Sequence, residues 1–569
     1  MALNLVNQVG EWNPQLFREI KGRLKPRNIL ITVTVSLLGQ LLVLMSFTGG
    51  LPVPNDNHPV YHRYCTGTRQ EYASNLCVGN VFRDFEINWQ LWWQDVFIWL
   101  SVIGIIALLV VGTYMLISDL SKEEQRGTLN FLRLTPQSTQ SILMGKMLGV
   151  PILLYLVAFL ALPLHLAAGL SGQLPFSMIL GFYAVLSASC LFFYSVALLF
   201  GLVGTWLGGF QAWLGSGAML MFLYTMTVVT VGRNNIVSQY PIDWVTLFSP
   251  TILLTYLTGT NSLDAAITQQ VSGMEHLKVW GLPVGASVWS ALGVMLLNYG
   301  LWTYWVWQGL KRCFHNPNAT LLAKQQSYWL MACFEAVILG FALNPQVGQW
   351  RSYSKGVFEN FQMLLVFNLL MFLCLIAALS PHRQAMQDWA RYRHKNRSRK
   401  RGVMPDLIWG EKSPAVVAIA LNVAIASAML LPWLLLWPNS EYKTPALWAL
   451  MVNMSLIVVY AAVAQLILFM KLRKRAAWAA VTVGLFILVP PIIFPFLSMT
   501  PDKNPGVWLF SAFPWVAVEN TNAIAVFLSV IGQSLTVGLL GVQLTRRLRS
   551  AGESSTKAML SGRPPMTVE

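Results

Sequence analysis

Runs of about 20 apolar residues, each nearly free of charge, alternate with shorter polar segments along the whole chain. At ~1.5 Å per residue, such a run crosses the ~30 Å hydrocarbon core of a bilayer as a helix. The pattern predicts twelve spans. They lie at roughly 29–48, 96–117, 147–169, 176–205, 212–232 and 284–307, then 328–343, 361–380, 414–437, 446–470, 476–497 and 521–544. The stretch 244–259 is also apolar, but Ser249-Pro250 interrupts it, so 242–262 reads as a re-entrant or interfacial piece. The run 328–343 is short and contains Glu335. The expected fold class is an all-α polytopic membrane protein.

Composition agrees. Of 569 residues, 55% are hydrophobic and 11% charged, less than half the ~25% charged share of soluble domains. This excludes a soluble enzyme, a disordered chain and a transmembrane β-barrel, whose apolar signal alternates. The chain holds 39 Lys and Arg, and their placement sets an orientation. With the N-terminus cytoplasmic, 30 of them fall in inside segments and 9 in outside ones, and both termini are cytoplasmic. The basic balance therefore marks topology rather than nucleic acid, and the run Arg391 to Arg401 reads as an orientation signal and lipid contact. Six Cys form no disulfide scaffold, yet Cys65 and Cys77 share the outside loop and can pair there. The first 28 residues begin polar and basic, unlike a cleavable signal peptide.

The chain also reads as built twice. A long basic cytoplasmic segment follows the second span of each half, and each half carries a Phe-Ser element before its sixth span: Phe248-Ser249-Pro250 and Phe510-Ser511-Ala512-Phe513-Pro514. Leu143-Met144-Gly145-Lys146 and Ile408-Trp409-Gly410-Glu411 match in place. Such duplication is common in transporters. The expected organisation is a cytoplasmic N-terminus (1–28), a first six-span half (29–308), a linker (309–327), a second six-span half (328–545, with basic loop 381–412) and a cytoplasmic tail (546–569).

Asn13-Pro14 is a helix start, a capping side chain followed by a preset first residue. Leu16, Phe17, Ile20 and Leu24 share one face of that helix, and Arg18, Lys21, Arg23 and Lys25 take the polar side. It reads as an interfacial helix with its cations near anionic headgroups, or as a helix docked on protein. Segment 119–146 carries the most information. Charges (Glu123, Glu124, Arg126) precede Gly127-Thr128, the apolar Leu129, Phe131 and Leu132 follow, and Thr135-Pro136 ends the helix. A short helix of this kind suits docking into a groove on another protein.

The pattern from Glu123 to Lys146, including Gly127, Thr128, Leu129, Leu132, Thr135, Pro136, Gly145 and Lys146, resembles the ABC-2 type transporter permeases. Asn13 to Leu24 is similar to the interfacial helix of that family. The resemblance covers 12–308 well and 328–545 more weakly. Gln125 and Asn130 stand where the family often has acids. It implies a non-catalytic bacterial inner-membrane permease subunit, an exporter, whose 119–146 loop couples to separate ABC ATPase subunits that hold the ATP and Mg. A second permease chain and membrane lipids are further expected partners. The chain itself shows no phosphate loop, because Gly145-Lys146 is followed by Met147.

Two other classes stay open. An ion-coupled secondary transporter needs intramembrane ionisable groups, of which Glu335 is the main one. A membrane glycosyltransferase or polymerase needs paired acids, whereas Asp84, Glu86, Asp243 and Asp264 are scattered over two loops. His165 reads as a hydrogen-bonded core histidine, and Gly204-x-x-x-Gly208 as a place for close helix contact. No metal-ligand cluster or cofactor motif is visible.

Overall fold

The computed structural model describes residues 10–53, 60–67, 75–79, 85–231, 240–259, 277–343, 352–395, 403–437, 441–472 and 474–552. The basic residues Arg397, Arg399, Lys400 and Arg401, the acids Asp84 and Asp264, and the last 17 positions of the tail lie outside them. The chain divides into two compact units. One comprises 1–238, 243–277 and 283–315, the other 239–242, 278–282 and 316–569.

In the first unit, α1 (Pro14–Arg23) begins where Asn13 Oδ1 accepts from the Leu16 N–H at 3.0 Å. It is followed by α2 (Pro26–Gly49), a strand pair β1 (Tyr61–His62) and β2 (Asn75–Leu76), and the long helix α3 (Trp89–Gln125). Next come α4 (Thr128–Arg133), α5 (Thr139–Gly149), α6 (Ile152–Ser171), α7 (Phe176–Val203), α8 (Phe210–Val231), the short α9 (Asp243–Thr246) and α10 (Ile252–Gly259), and α11 (Val288–His315). The second unit holds α12 (Lys324–Ala342), α13 (Tyr353–Leu379), α14 (Arg383–Lys395), α15 (Val403–Trp409), α16 (Val416–Leu435), α17 (Lys443–Phe469), α18 (Arg475–Phe496), α19 (Pro505–Trp508) and α20 (Ala523–Gly552).

Among the described residues, ten helices are long and apolar enough to cross a membrane. Two of the twelve expected spans fall short of that apolarity. α11 carries Asn298, Trp302, Trp305 and Trp307, and α12 opens on Lys324 and carries Glu335. At 37 residues, α3 is ~55 Å long and outruns a bilayer core. Its last turns therefore carry Asp119, Glu123 and Glu124 beyond the apolar stretch.

Each unit, taken by itself, pairs its long helices alike. The first packs on the third, the second on the third and fourth, and the fourth on the sixth: α2 on α6, α3 on α6 and α7, α7 on α11; then α12 on α16, α13 on α16 and α17, α17 on α20. They differ at the fifth helix, which leans on the second in one unit (α8 on α3) and on the fourth in the other (α18 on α17). The stretch at Ser249-Pro250 is a broken helix, α9 and α10 joined by a turn in which Ser249 Oγ and Thr251 Oγ1 share a hydrogen bond at 2.7 Å. Gly204 lets the Gln211 side chain of α8 come close, since a Cβ there would lie 2.7 Å from Gln211 Nε2, whereas a Cβ at Gly208 would meet nothing within 4 Å. Gly204 also marks the end of α7, where Gln211 Nε2 donates to the Gly201 carbonyl at 2.9 Å. His165 bridges Ser101 and Tyr183, both at 2.7 Å.

Candidate functional site

The long helix α3 carries a polar centre near each of its ends. At its start, β1 pairs antiparallel with β2, Tyr61 opposite Leu76, and Cys65 is bonded to Cys77 with Cα atoms 4.8 Å apart. At its finish, chain turns and ion pairs gather the residues singled out from the sequence.

Gly127 is the joint there. It follows the last turn of α3 at φ 71°, a left-handed conformation that costs a side-chain-bearing residue roughly 1–2 kcal/mol. Its N–H donates to the Glu124 carbonyl at 3.0 Å, and Thr128 Oγ1 donates to the Glu123 carbonyl at 3.2 Å. The chain thus stops one helix and starts another within three residues. Thr135 closes α4 by donating to the Leu132 carbonyl at 2.7 Å, ahead of the exposed Pro136. Glu124 and Arg126 are exposed.

Helix α4 has two unlike faces. Leu129 and Leu132 are buried with Leu116, Ile117, Leu120, Leu310 and Phe314, side chains from α3 and α11. The sequence reading expected a partner to cover Leu132, and that is corrected. The chain covers it itself, at 4% exposure, because α4 folds back onto α3. Phe131 and Leu134 point away, 70% and 84% exposed. Arg133 Nε donates to the Phe314 carbonyl at 2.9 Å, so a cation meets the negative end of α11.

Gly145 and Lys146 have work inside the chain. A Cβ at Gly145 would lie 2.8 Å from Asn13 Oδ1 and 2.9 Å from Leu16 N, so only glycine lets α1 rest on α5 there. Asn13 Nδ2 donates across that contact to the Ser141 carbonyl at 2.7 Å. Lys146 is wholly buried, with Nζ 2.7 Å from Asp119 Oδ2, 2.7 Å from Glu123 Oε2 and 3.6 Å from Glu19 Oε1. Burial works against its charge, but Asp119, Glu123 and Glu19 together outweigh it and hold the ammonium above its ordinary pKa. The three carboxylates lie close enough to share a metal ion, but the ammonium already stands among them and supplies the cation.

The cations of α1 complete the network. Arg18 Nη2 reaches Glu123 Oε1 at 2.8 Å, and Arg23 Nη2 reaches Asp119 Oδ1 at 2.6 Å. The expected amphipathic arrangement is therefore corrected for these two, which face acids of α3 rather than headgroups. The buried face of α1 is Gln15, Leu16 and Glu19, since the glycine groove and Lys146 select it over Phe17 and Ile20. Sequence reasoning missed Asn13, Glu19, Asp119 and Arg133 as site residues. One signal was present: Asp119 and Lys146 are opposite charges at the same end of adjoining spans.

The second unit, taken by itself, also has a buried lysine, one with neutral hydrogen-bond partners. Lys324 Nζ donates to the Leu407 carbonyl, Ser413 Oγ and the Pro414 carbonyl at 2.7, 2.7 and 3.1 Å. Glu335 is wholly buried in α12, and among the described residues neither carboxyl oxygen has a well-formed hydrogen bond. The amide facing it, Asn368, donates instead to the Leu364 carbonyl at 3.1 Å. No protein-family model, curated protein or solved structure matches the chain, and what its sequence and fold establish together is a polytopic, largely helical membrane protein.

Proposed function

We propose that the chain is the membrane subunit of an ABC-2 type exporter in a bacterial cell membrane, driven by ATP hydrolysis on separate ATPase subunits. The observation that carries this reading is the pair Phe131 and Leu134, exposed on a helix whose other face is locked into the core. Covering two such side chains contributes about 1.5–3 kcal/mol each, enough to dominate docking of a small helix. A push on α4 is then delivered through Leu129 and Leu132 to α3 and through Arg133 to α11. In this reading the α4 end is cytoplasmic, and the Cys65–Cys77 bond lies in the oxidising compartment beyond the membrane. ATP chemistry belongs to the partner, because Lys146 stands among three carboxylates that would repel a phosphate.

The test is co-purification with the ATPase together with transport in vesicles. Phe131→Asp with Leu134→Asp should lose association and transport while inserting at normal levels. Full association and transport in that variant would refute the coupling role of α4. One observation favours ion-coupled secondary transport instead, the buried Glu335. Transport that survives ATP depletion but collapses with the ion gradient would establish that second reading.

A further inference from the structure

Helices α2 and α3 and the chain at His62–Tyr64 border an open cavity of about 630 Å³ at the disulfide end of the first unit. Its wall changes chemistry along its length. At one end Arg63 Nη2 donates to Asp95 Oδ1 at 2.8 Å and the Tyr64 hydroxyl donates to Asp95 Oδ2 at 3.0 Å. One and two turns further along α3 stand Trp99 and Ile103, and Leu42 lines the cavity from α2. From Asp95 to Ile103 the helix rises ~12 Å. Leu42, Trp99 and Ile103 are half to two-thirds exposed, and only 11% of the apolar stretch of α2 is buried within the unit. The cavity is therefore open along its apolar length, where acyl chains surround a membrane helix.

A site that is ionic at one end and apolar for the rest fits an amphiphile lying along the helices. Arg63 gives Asp95 one hydrogen bond, and its side chain is 55% exposed, which leaves donors for a phosphate. Asp95 cancels the charge of Arg63, so a singly charged head would leave this end unbalanced. A head carrying both a phosphate and an ammonium completes an alternating set of four charges. Each Asp95 oxygen already accepts one hydrogen bond and has a lone pair left, so the ammonium must carry N–H donors.

We propose that this cavity binds a zwitterionic phospholipid of the surrounding bilayer, of the phosphoethanolamine class. Its phosphate lies on Arg63, its ammonium on Asp95 and one acyl chain along Leu42, Trp99 and Ile103.

Trp99 supplies the probe. The full chain is placed in micelles doped with phosphatidylethanolamine, phosphatidylglycerol or phosphatidylcholine, each brominated on its acyl chains. The Trp99 signal is isolated as the difference between the wild type and Trp99→Phe. Phosphatidylethanolamine should quench it at a several-fold lower mole fraction than the other two. Arg63→Gln should remove that preference, and Asp95→Asn should reverse it toward phosphatidylglycerol, because Arg63 is then a lone cation. Gel filtration and retention of the Cys65–Cys77 bond report whether each variant is folded. If a variant does not fold, the wild-type comparison decides alone. Equal quenching by the three lipids, or a preference unchanged in both folded variants, overturns the proposal.

Discussion

Lys146 Nζ lies 2.7 Å from Asp119 Oδ2, a contact that ties the short helix α5 to the last turns of the long helix α3. Glu19 and Arg23 join it from α1, so three elements separated along the chain meet at one charge cluster. Removing the cation leaves three converging carboxylates with, among the described residues, Arg18 and Arg23 at their rim. Lys146→Met should therefore destabilise the first unit by about 3 kcal/mol, read as a lower thermal midpoint in detergent. Asp119→Asn should cost less, because Glu123 still holds the ammonium.

Gly145→Ala tests the groove under α1. Its Cβ would press on the Asn13 cap and the backbone of Leu16, so α1 must lift. Faster trypsin cleavage after Arg18, Lys21 or Arg23 is the expected result. Gly22→Ala is the control, since its Cβ meets nothing within 4 Å and should stabilise α1 by roughly 0.5–1 kcal/mol.

The two faces of α4 should separate in mutagenesis. Leu132→Ala empties a core site and should cost about 2–5 kcal/mol of stability. Phe131→Ala, at an exposed position, should leave the thermal midpoint within a degree or two and act only on partner association. A midpoint drop of equal size in both would show that α4 is merely structural.

Glu335→Gln keeps the shape of the side chain and removes its ability to ionise. Under the exporter reading, transport should be unchanged. Loss of transport with normal insertion would assign Glu335 a part in ion coupling.

Lys324 gives a pH dependence. Burial lowers its pKa to about 8, with Asp406 opposing the fall. An unfolded lysine titrates near ~10.4, so between about 8 and 10.4 the unfolded chain binds more protons, and stability rises with pH across that window. The gain should be on the order of a few kcal/mol and should vanish in Lys324→Met. A thermal midpoint scan from pH 7 to 10 checks it.

Hydropathy is a property of consecutive residues, and for that reason the long apolar helices, the Asn13-Pro14 helix start and the breaks at Gly127 and Ser249-Pro250 were legible without coordinates. Two of the twelve expected spans, α11 and α12, fall short in apolarity, because α11 carries Asn298 among several Trp and Tyr and α12 opens on Lys324, Gln325 and Gln326 and carries Glu335. Local pattern also placed Phe131 and Leu132 side by side as equals. Only the fold-back of α4 onto α3 decided that one is covered and the other exposed.

The same holds for charge. The sequence by itself determined where cations cluster relative to the apolar runs, since each run is bounded by its own neighbours. Which acid each cation meets was decided by tertiary structure: Arg18 bonds Glu123 across 105 positions, and Asn13 bonds the Ser141 carbonyl across 128. No window of adjacent residues contains either pair, and glycines at 145 and 149 reveal their purpose only when α1 is laid on them. Contacts of that range depend on how whole helices pack, which is why the face of α1 was misread while its start was not.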